Sequence, residues 1–220
     1  MKIAICISGQ PRFTGLGLYS LNEVFLKKYN CDIFVQTYNT EDGLQFIRTV
    51  QPKRYRLDHP NDTDIQISKY ASINKAAETN VLTMYLMYRN IKNCMDLIDA
   101  EYNLVIRTRS DLLYGSPLDL SKVNPDSIYI PQGGDWRGGV FDMFAISGIH
   151  GMSYYSSIFS KLNEYVERGV HAHPEILMRY HLMFNQHNFS LVRFPWDIKV
   201  IRAIKDSNIH YDNALPLDVF

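Results

Sequence analysis

Two arginines and an aspartate directly follow a strongly apolar segment of the chain. The run Leu104–Asp111, LVIRTRSD, is apolar at its start and turns polar at Arg107, Arg109 and Asp111. Ligands of open α/β sheets bind outside the carboxyl ends of strands, and these residues are predicted to stand at such an end. A carboxylate there can hold a divalent cation or accept a hydrogen bond from a sugar hydroxyl. The alternative is that Asp111 caps a turn and pairs with Arg107 or Arg109.

Two further carboxylates are candidates for acid–base chemistry. Asp142 lies in the apolar segment Val140–Ser147, where a charge is costly unless it is paired, hydrogen-bonded or functional. A structural salt bridge is the alternative for Asp142. Glu175 lies in the first turn of a predicted helix, where it also offsets the helix dipole. His171 and His173 precede that helix, but their spacing is not the i, i+4 arrangement of a helical zinc site.

Two glycine-containing segments are candidate binding loops. Gly9–Arg12, GQPR, follows the first apolar run and carries one cation. Gly133–Gly139, GGDWRGG, matches neither of the common glycine-rich phosphate-binding motifs. It predicts a mobile lid, with Trp136 as a stacking surface.

The elements that must position these residues alternate between strands and helices, which predicts an α/β fold with a mostly parallel central sheet flanked by helices. The predicted strands are Lys2–Ser8, Cys31–Tyr38, Lys53–Asp58, Leu104–Thr108, Ser127–Pro131, Val140–Ser147 and one or two within Ser190–Ala203, interrupted at Pro195. The predicted helices are Leu16–Lys28, Glu41–Val50, Asn74–Ala100, Ile149–Arg168 and Pro174–His187, and His59–Ser68 is predicted as a loop. No repeat or linker divides the chain, so residues 1–220 are predicted to form one domain.

Composition excludes several classes of protein. The chain has 220 residues with 23 basic and 23 acidic side chains, so no net charge favours general binding to nucleic acid or a membrane surface. No apolar stretch approaches the length of a membrane span, and the N-terminus lacks the features of a secretion signal. The three cysteines, Cys6, Cys31 and Cys94, are too few and too apolar in setting for a disulfide framework. These features predict a soluble, cytoplasmic protein with reduced thiols.

Five segments occur in an order that is similar to a known family. They are ISGQPR, ending at Arg12, NVLTMYLMYRNIKNCMDLI, ending at Ile98, LVIRTRSDLLY, ending at Tyr114, GGVFDMFAIS, ending at Ser147, and HPEILMRYHL, ending at Leu182. Together they resemble a family of small GT-A-type glycosyltransferases of large DNA viruses and some bacteria. The resemblance extends from Met1 to about Ala203. It implies a single GT-A-like, Rossmann-related domain, with a nucleotide-binding half over about 1–111 and an acceptor half over about 112–220.

The resemblance also implies an activity and a set of site residues. The implied reaction moves a sugar from a nucleotide-sugar donor to a hydroxyl of a glycan or glycoprotein, in the host cytoplasm if the protein is viral. Arg-x-Arg-x-Asp stands where other GT-A enzymes carry Asp-x-Asp, so Asp111 is the implied ligand of Mn²⁺ or Mg²⁺. Asp142 is the first candidate for the base that an inverting reaction needs, and Glu175 is the second. The residues expected to bind the nucleotide and diphosphate are Ser8, Gly9, Gln10, Arg12, Arg107 and Arg109.

Other functions stay open on the sequence. A protein that binds a nucleotide-sugar or carbohydrate without catalysis is one alternative, because only the last acid of Asp-x-Asp is present. An enzyme that makes the activated sugar is another, although Gly9–Arg12 is short for the basic loop of such enzymes. A retaining glycosyltransferase would need no general base.

Overall fold

Strands and helices alternate along the chain in the computed structural model, which describes residues 1–12, 14–59, 80–184, 188–203 and 209–212. The strands are β1 Lys2–Ser8, β2 Asn30–Tyr38, β3 Arg54–Asp58, β4 Leu104–Thr108, β5 Leu112–Tyr114, β6 Ser127–Pro131, β7 Ala145–Ser147, β8 Ser190–Phe194, β9 Ile198–Ala203 and β10 Ile209–Asp212. The α-helices are α1 Thr14–Leu21, α2 Glu41–Val50, α3 Val81–Met95, α4 Ile149–Ser156, α5 Ile158–Glu167 and α6 Pro174–Phe184. A π-helical turn at Asn22–Leu26 follows α1, and a 3₁₀ turn covers Leu120–Lys122.

The central sheet has seven strands in the order β3-β2-β1-β4-β7-β6-β8. Neighbours from β3 to β4 are parallel, β7 is antiparallel to both of its neighbours, and β6 is parallel to β8. The carboxyl ends of every strand except β7 therefore lie at one edge of the sheet. The predicted α/β class, with a mostly parallel central sheet flanked by helices, is confirmed. A second sheet, β10-β9-β5, is antiparallel.

The middle of the sheet is apolar because strands buried on both faces need apolar side chains on both. Ile3, Ala4 and Ile5 of β1 are fully buried, as are Val105 and Ile106 of β4. Helix α3 packs against β1 and β2, and its N-cap is Asn80, whose side chain accepts from the amide of Thr83 at 3.1 Å. No helix in the described ranges is long and apolar enough to cross a membrane.

Three predicted helices differ from the structure. The predicted helix Leu16–Lys28 is α1 followed by the π-helical turn, and the predicted helix Ile149–Arg168 is divided at Ser157 into α4 and α5. The described part of the predicted helix Asn74–Ala100 ends at Met95. β5, β10 and the 3₁₀ turn were not predicted. Residues 60–68 of the predicted loop, residues 74–79 of the predicted long helix and residues 185–187 of the predicted last helix lie outside the described residues.

The predicted strand Val140–Ser147 is wrong over its first half, and only β7 is a strand. The backbone groups of this half are bonded elsewhere. The amide of Val140 donates to the Glu175 carbonyl at 3.0 Å, and the amide of Phe141 donates to Asp135 Oδ1 at 2.8 Å. The carbonyl of Asp142 accepts from the Tyr155 hydroxyl at 2.9 Å. Bonds to a loop and to two helices therefore replace the strand ladder.

Candidate functional site

The loops that follow β1 and β4 are joined at the carboxyl edge of the sheet. The amide of Arg12 donates to Ser110 Oγ at 3.1 Å, and Gly9, at φ 105°, donates its amide to the Gln36 carbonyl at 3.0 Å. Gly17 of α1 lies so close to this junction that a Cβ built on it would stand 1.8 Å from the Ser110 carbonyl oxygen. The β1 and β4 loops are therefore joined by the short side chain of Ser110, which contacts the Arg12 backbone, rather than by long side chains.

A cleft of about 460 Å³ opens at this edge, between the β1 and β4 loops and α3. All six residues predicted to bind nucleotide and diphosphate line it: Ser8, Gly9, Gln10, Arg12, Arg107 and Arg109. The opposite wall comes from Thr83, Met84, Leu86, Met87 and Asn90 of α3, and Tyr38, Thr40 and Pro174 complete the lining. Three arginines and no carboxylate line the cleft among the described residues, which makes it suited to an anion.

Arg107 is the most deeply placed of these cations. It is 2% exposed, although it lines the cleft. Within the described ranges, neither its Nε nor its Nη1 has a hydrogen-bond partner. Burying polar N–H groups without partners costs free energy, so Arg107 has unused capacity to donate to a ligand in the cleft.

Arg109 is held by Asp111 in a two-point ion pair. Arg109 Nε donates to Asp111 Oδ1 at 2.8 Å, and Arg109 Nη2 donates to Asp111 Oδ2 at 2.6 Å. The Asp111 side chain is 4% exposed, and Asp111 is not among the described residues that line the cleft. The structure thus shows the ion pair that the sequence left as the alternative for Asp111.

These residues do not fit a divalent cation as arranged. Both carboxylate oxygens of Asp111 already accept from Arg109. In the part of the chain that the structure describes, no three His, Cys, Asp or Glu side chains are grouped so as to hold a metal ion. The role of Asp111 as a metal ligand stays a prediction.

The α3 wall carries a second buried polar group with unused capacity. Asn90 is 2% exposed, and its Nδ2 donates to the Tyr38 hydroxyl at 2.8 Å. Its Oδ1 has no hydrogen-bond partner among the described residues. Because both residues line the cleft, Asn90 Oδ1 can accept from an N–H or O–H of a ligand lying beside α3.

Asp142 and Glu175, the two predicted acid–base residues, lie near each other behind this cleft. Asp142 is 3% exposed, and burial raises its pKa against the opposing charges of Arg107 and Arg109. The Glu175 side chain is 15% exposed. Burial, together with the charges of Asp142 and Asp135, raises the pKa of Glu175 to about 7. Of the two, Glu175 is the more accessible and changes its charge near neutral pH.

The glycine-rich loop packs onto the start of α6 and thereby places Glu175. The Trp136 ring stacks on His173 with centroids 3.7 Å apart, and His173 Nδ1 lies 2.6 Å from Glu175 Oε2. Asp135 forms an ion pair with Arg193 at 2.8 Å. The loop that the sequence predicted as a mobile lid is therefore held at several points in this structure, and His173 occupies a stacking position on Trp136.

A second cleft, of about 630 Å³, opens at the same sheet edge beyond β6 and β8. Phe141, the neighbour of Asp142, lines it together with Gln132, Trp196 and Asp197. The segment that carries Asp142 therefore contributes to the lining of the second cleft through Phe141 and does not line the first.

The sequence did not single out Tyr38, Asn90 or His173 in these arrangements. For Asn90 there is a signal in the sequence, because it stands at helical spacing between Met87 and Cys94, three residues after one and four before the other, where an apolar residue would continue the row. His173 was weighed only as a zinc ligand, and its contact with Glu175 depends on how the chain turns into α6. Tyr38 carried no signal beyond the end of a strand.

The fold and the site define an α/β domain with an arginine-lined cleft at the carboxyl edge of its sheet. The chain belongs to the family described as "Domain of unknown function (DUF7796)", whose model matches residues 1–213. No curated protein matches the chain.

Proposed function

We propose that the protein is a glycosyltransferase that moves a sugar from a nucleotide-sugar donor to a hydroxyl of a glycan or glycoprotein. One observation carries the proposal: three arginines line a cleft at the carboxyl edge of the sheet, and buried N–H groups of Arg107 have no partner among the described residues. A nucleotide diphosphate supplies the negative charge and acceptor oxygens that such groups need. The resemblance of the five sequence segments to GT-A-type enzymes supports the same class.

The arginines would act on the leaving group. When the bond between the anomeric carbon and the diphosphate oxygen breaks, the electron pair stays on the diphosphate. Arg12, Arg107 and Arg109 stabilise that developing charge, and their fixed positions reduce the cost of reorganisation during the reaction. The nucleoside would lie along α3, where Asn90 Oδ1 accepts a hydrogen bond.

Glu175 is the proposed base on the acceptor side, ahead of Asp142. In an inverting reaction the acceptor oxygen bonds to the anomeric carbon and its proton passes to the carboxylate of Glu175. The acceptor is proposed to approach beside Pro174, which lines the first cleft and directly precedes Glu175. Asp142, which is more deeply buried, would serve as the counter-charge of Arg107. If the reaction retains configuration, no base is needed and both carboxylates have supporting roles.

Mn²⁺ or Mg²⁺ as a cofactor, and a cytoplasmic location, stay predictions from the sequence. A divalent cation would neutralise the charge of the diphosphate as a Lewis acid. The arginines can neutralise the same charge in its place, through their own positive charge. No step of the proposed reaction depends on the cation.

The test is a panel of UDP-, GDP- and dTDP-sugars, followed by nucleotide release with and without glycan acceptors. Release of nucleotide from one donor supports the proposal, and acceptor-dependent release identifies transfer. Binding without release would instead favour a nucleotide-sugar-binding protein, the alternative that stays open because only the last acid of Asp-x-Asp is present. Pyrophosphate exchange would indicate an enzyme that makes the activated sugar.

The Arg12→Ala variant tests the cleft itself. Arg12 is exposed at the cleft, and its side chain has a bond of 3.3 Å to Gln10, so its loss should leave the fold intact. We expect donor affinity to fall about tenfold, the scale of one charge-assisted hydrogen bond. Arg48→Ala on α2 removes the same charge from an exposed side chain outside the cleft, and donor affinity should not change. Equal affinities in the two variants would contradict a donor site at this cleft.

A further inference from the structure

We infer that the cleft binds a diphosphate group through Arg107 and Arg109 without a metal ion, and that Asp111 positions Arg109 rather than a cation. The inference rests on the proposed function, because it concerns the diphosphate of the same donor. It departs from the role that the resemblance implies for Asp111.

The first reason is the geometry of the Arg109–Asp111 pair. Two-point contacts at 2.8 and 2.6 Å fix the plane of the guanidinium group. They use one edge of Arg109, which lines the cleft, and its other N–H groups have no hydrogen-bond partner among the described residues. A nearly buried carboxylate in this position acts as a clamp that orients the arginine.

The second reason is the state of Arg107. Its guanidinium group is 2% exposed and has Nε and Nη1 without a partner among the described residues. Thr108, its neighbour along β4, contacts Tyr114 at 2.5 Å, and the alternation of a strand sends Arg107 to the opposite face of the sheet. A desolvated cation attracts an anion more strongly than an exposed one, so Arg107 can neutralise charge that a metal neutralises elsewhere.

The third reason is what a metal would require. Asp111 would have to leave Arg109, and the partly buried guanidinium would lose its counter-charge, which is costly. A cation would also need more oxygen ligands than one carboxylate. Among the residues that the structure describes, Asp111 belongs to no group of three or more His, Cys, Asp or Glu side chains that could hold a metal ion.

The experiment measures the binding of inorganic pyrophosphate and of UDP, GDP and dTDP by calorimetry, once with EDTA and once with MnCl₂. Pyrophosphate carries the shared chemistry without a nucleoside. We expect pyrophosphate to bind in EDTA, with an affinity that manganese strengthens by less than threefold. A gain of threefold or more with manganese, or no binding in EDTA, would overturn the inference.

The Asp111→Asn variant separates the two roles by the sign of its effect. If Asp111 is the counter-charge of Arg109, Asp111→Asn keeps a side-chain oxygen that can accept from Arg109 and orient it but removes the competing negative charge, so the affinity for pyrophosphate in EDTA should stay equal or rise. If Asp111 is a metal ligand, the variant instead loses at least tenfold in affinity when manganese is present. The second result would overturn the inference.

Arginine-to-lysine variants test the guanidinium groups while they keep the charge. We expect Arg107→Lys to lower the affinity for pyrophosphate about tenfold, because lysine cannot form the same fork of hydrogen bonds. Arg109→Lys is the second variant, should Arg107→Lys fail to fold by circular dichroism. Arg193→Lys is the matched control, since Arg193 makes a two-point contact with Asp135 outside this cleft. Pyrophosphate affinity in both cleft variants equal to that of the control would contradict the inference.

Failure of the proposed function is distinguishable from failure of this inference. Pyrophosphate binding in EDTA, without turnover of any nucleotide-sugar, would leave the arginine site standing and remove the glycosyltransferase. Nucleotide-sugar turnover that requires manganese would keep the enzyme and remove the metal-free site.

Discussion

Burial and two acidic neighbours raise the pKa of Glu175 into the neutral range, and a histidine lies beside it. His173 lies 2.6 Å away, and Asp142 and Asp135 act on it through their negative charge. Partial burial adds to these charges, and the pKa of the carboxyl rises to about 7. A group that is half ionised near the working pH is well suited to accept a proton.

The pH dependence of turnover tests this role. A base must be ionised, so kcat should rise with pH up to about 7 and level off above it. Glu175→Gln should lower kcat about 10²-fold, leave donor affinity unchanged and remove that rise. Asp142→Asn is the comparison variant, because the sequence placed it first for the same role. If Asp142→Asn removes the rise and Glu175→Gln retains it, Asp142 is the base.

The same carboxyl predicts a pH dependence of stability. In the unfolded chain Glu175 ionises near its ordinary value of 4.5, whereas in the folded protein it holds its proton up to about 7. The raised pKa therefore stabilises the folded state fully below pH 4.5. This contribution to the unfolding free energy is lost as the pH rises from 4.5 to about 7. The unfolding free energy of Glu175→Gln minus that of the parent should therefore increase by up to roughly 3 kcal/mol from the lower to the upper end of this pH range. Urea titrations of both proteins at a series of pH values measure this, and a constant difference would contradict the raised pKa.

The sequence predicted the residues of the cleft between the β1 and β4 loops and α3 as far as the ends of strands show which side chains lie together. Arg107 and Arg109 follow one apolar strand and Arg12 follows another, and parallel pairing of β1 with β4 brings their ends together. The sequence did not decide whether Asp111 pairs with Arg109 or binds a ligand. Residues two apart can do either, depending on the conformation of the loop. The proximity of Glu175 to Asp142 depends on the packing of α6 against an irregular segment, which no local pattern encodes.

At the scale of elements, α1 and the β4 loop meet at a contact that only glycine permits. A Cβ at Gly17 would lie 1.8 Å from the Ser110 carbonyl oxygen, whereas a Cβ at Gly15 meets nothing within 4 Å. Gly17→Ala must move α1 or the loop that carries Arg109 and Asp111. Overpacking of this kind costs about 1–3 kcal/mol.

This pair of glycines gives a matched test in one helix. Gly17→Ala should lower the unfolding free energy by about 2 kcal/mol and weaken pyrophosphate binding, because the loop shifts. Gly15→Ala should be neutral or stabilise by up to about 1 kcal/mol, since alanine favours the helix. Denaturant unfolding and calorimetry measure both effects. Equal stability of the two variants would show that the helix and loop do not depend on this close approach.

Elements with an uninterrupted local pattern were predicted to the residue. β1, α2 and β6 have the predicted bounds Lys2–Ser8, Glu41–Val50 and Ser127–Pro131. The errors fall where distant contacts decide, as at Val140–Phe144, whose backbone bonds to α6, α4 and the glycine-rich loop. The end of α1 in a π-helical turn and the division at Ser157 likewise have no marker in the sequence.

At the scale of the molecule, the cleft is a local concentration of positive charge on a chain without net charge. The 23 basic and 23 acidic residues balance, so attraction of an anion must come from the few cations at the cleft rather than from a long-range field. The central sheet combines strands from the first half of the chain, β1 to β4, with β6, β7 and β8 from the second half, which continue it beyond β4. Pro174, at the start of α6, also completes the lining of the cleft. Opening of the sheet should therefore be coupled to loss of the ligand.

Two buried thiols can report that coupling. Cys6 lies in β1, and Cys94 Sγ in α3 lies 3.5 Å from the carbonyl oxygens of both Ile7 and Phe34. Cys31 is only partly buried at the start of β2, and burial raises its pKa to about 11. In a Cys31→Ser variant, labelling by a thiol reagent should require separation of α3 from β1 and β2.

We expect a ligand of the cleft to slow this labelling by mass action. A ligand that binds the folded state alone stabilises it by RT ln(1 + [L]/Kd), so at 100 times Kd the labelling rate should fall roughly 100-fold. Pyrophosphate, or the nucleoside diphosphate that binds most tightly, serves as the ligand, with mass spectrometry to assign each thiol. The parent protein provides the control through Cys31, whose labelling needs no opening of the cleft and should change little. Undiminished labelling of Cys6 and Cys94 at saturating ligand would show that these thiols become exposed while the cleft stays formed. The ligand would then not link the β1 and β4 loops to α3.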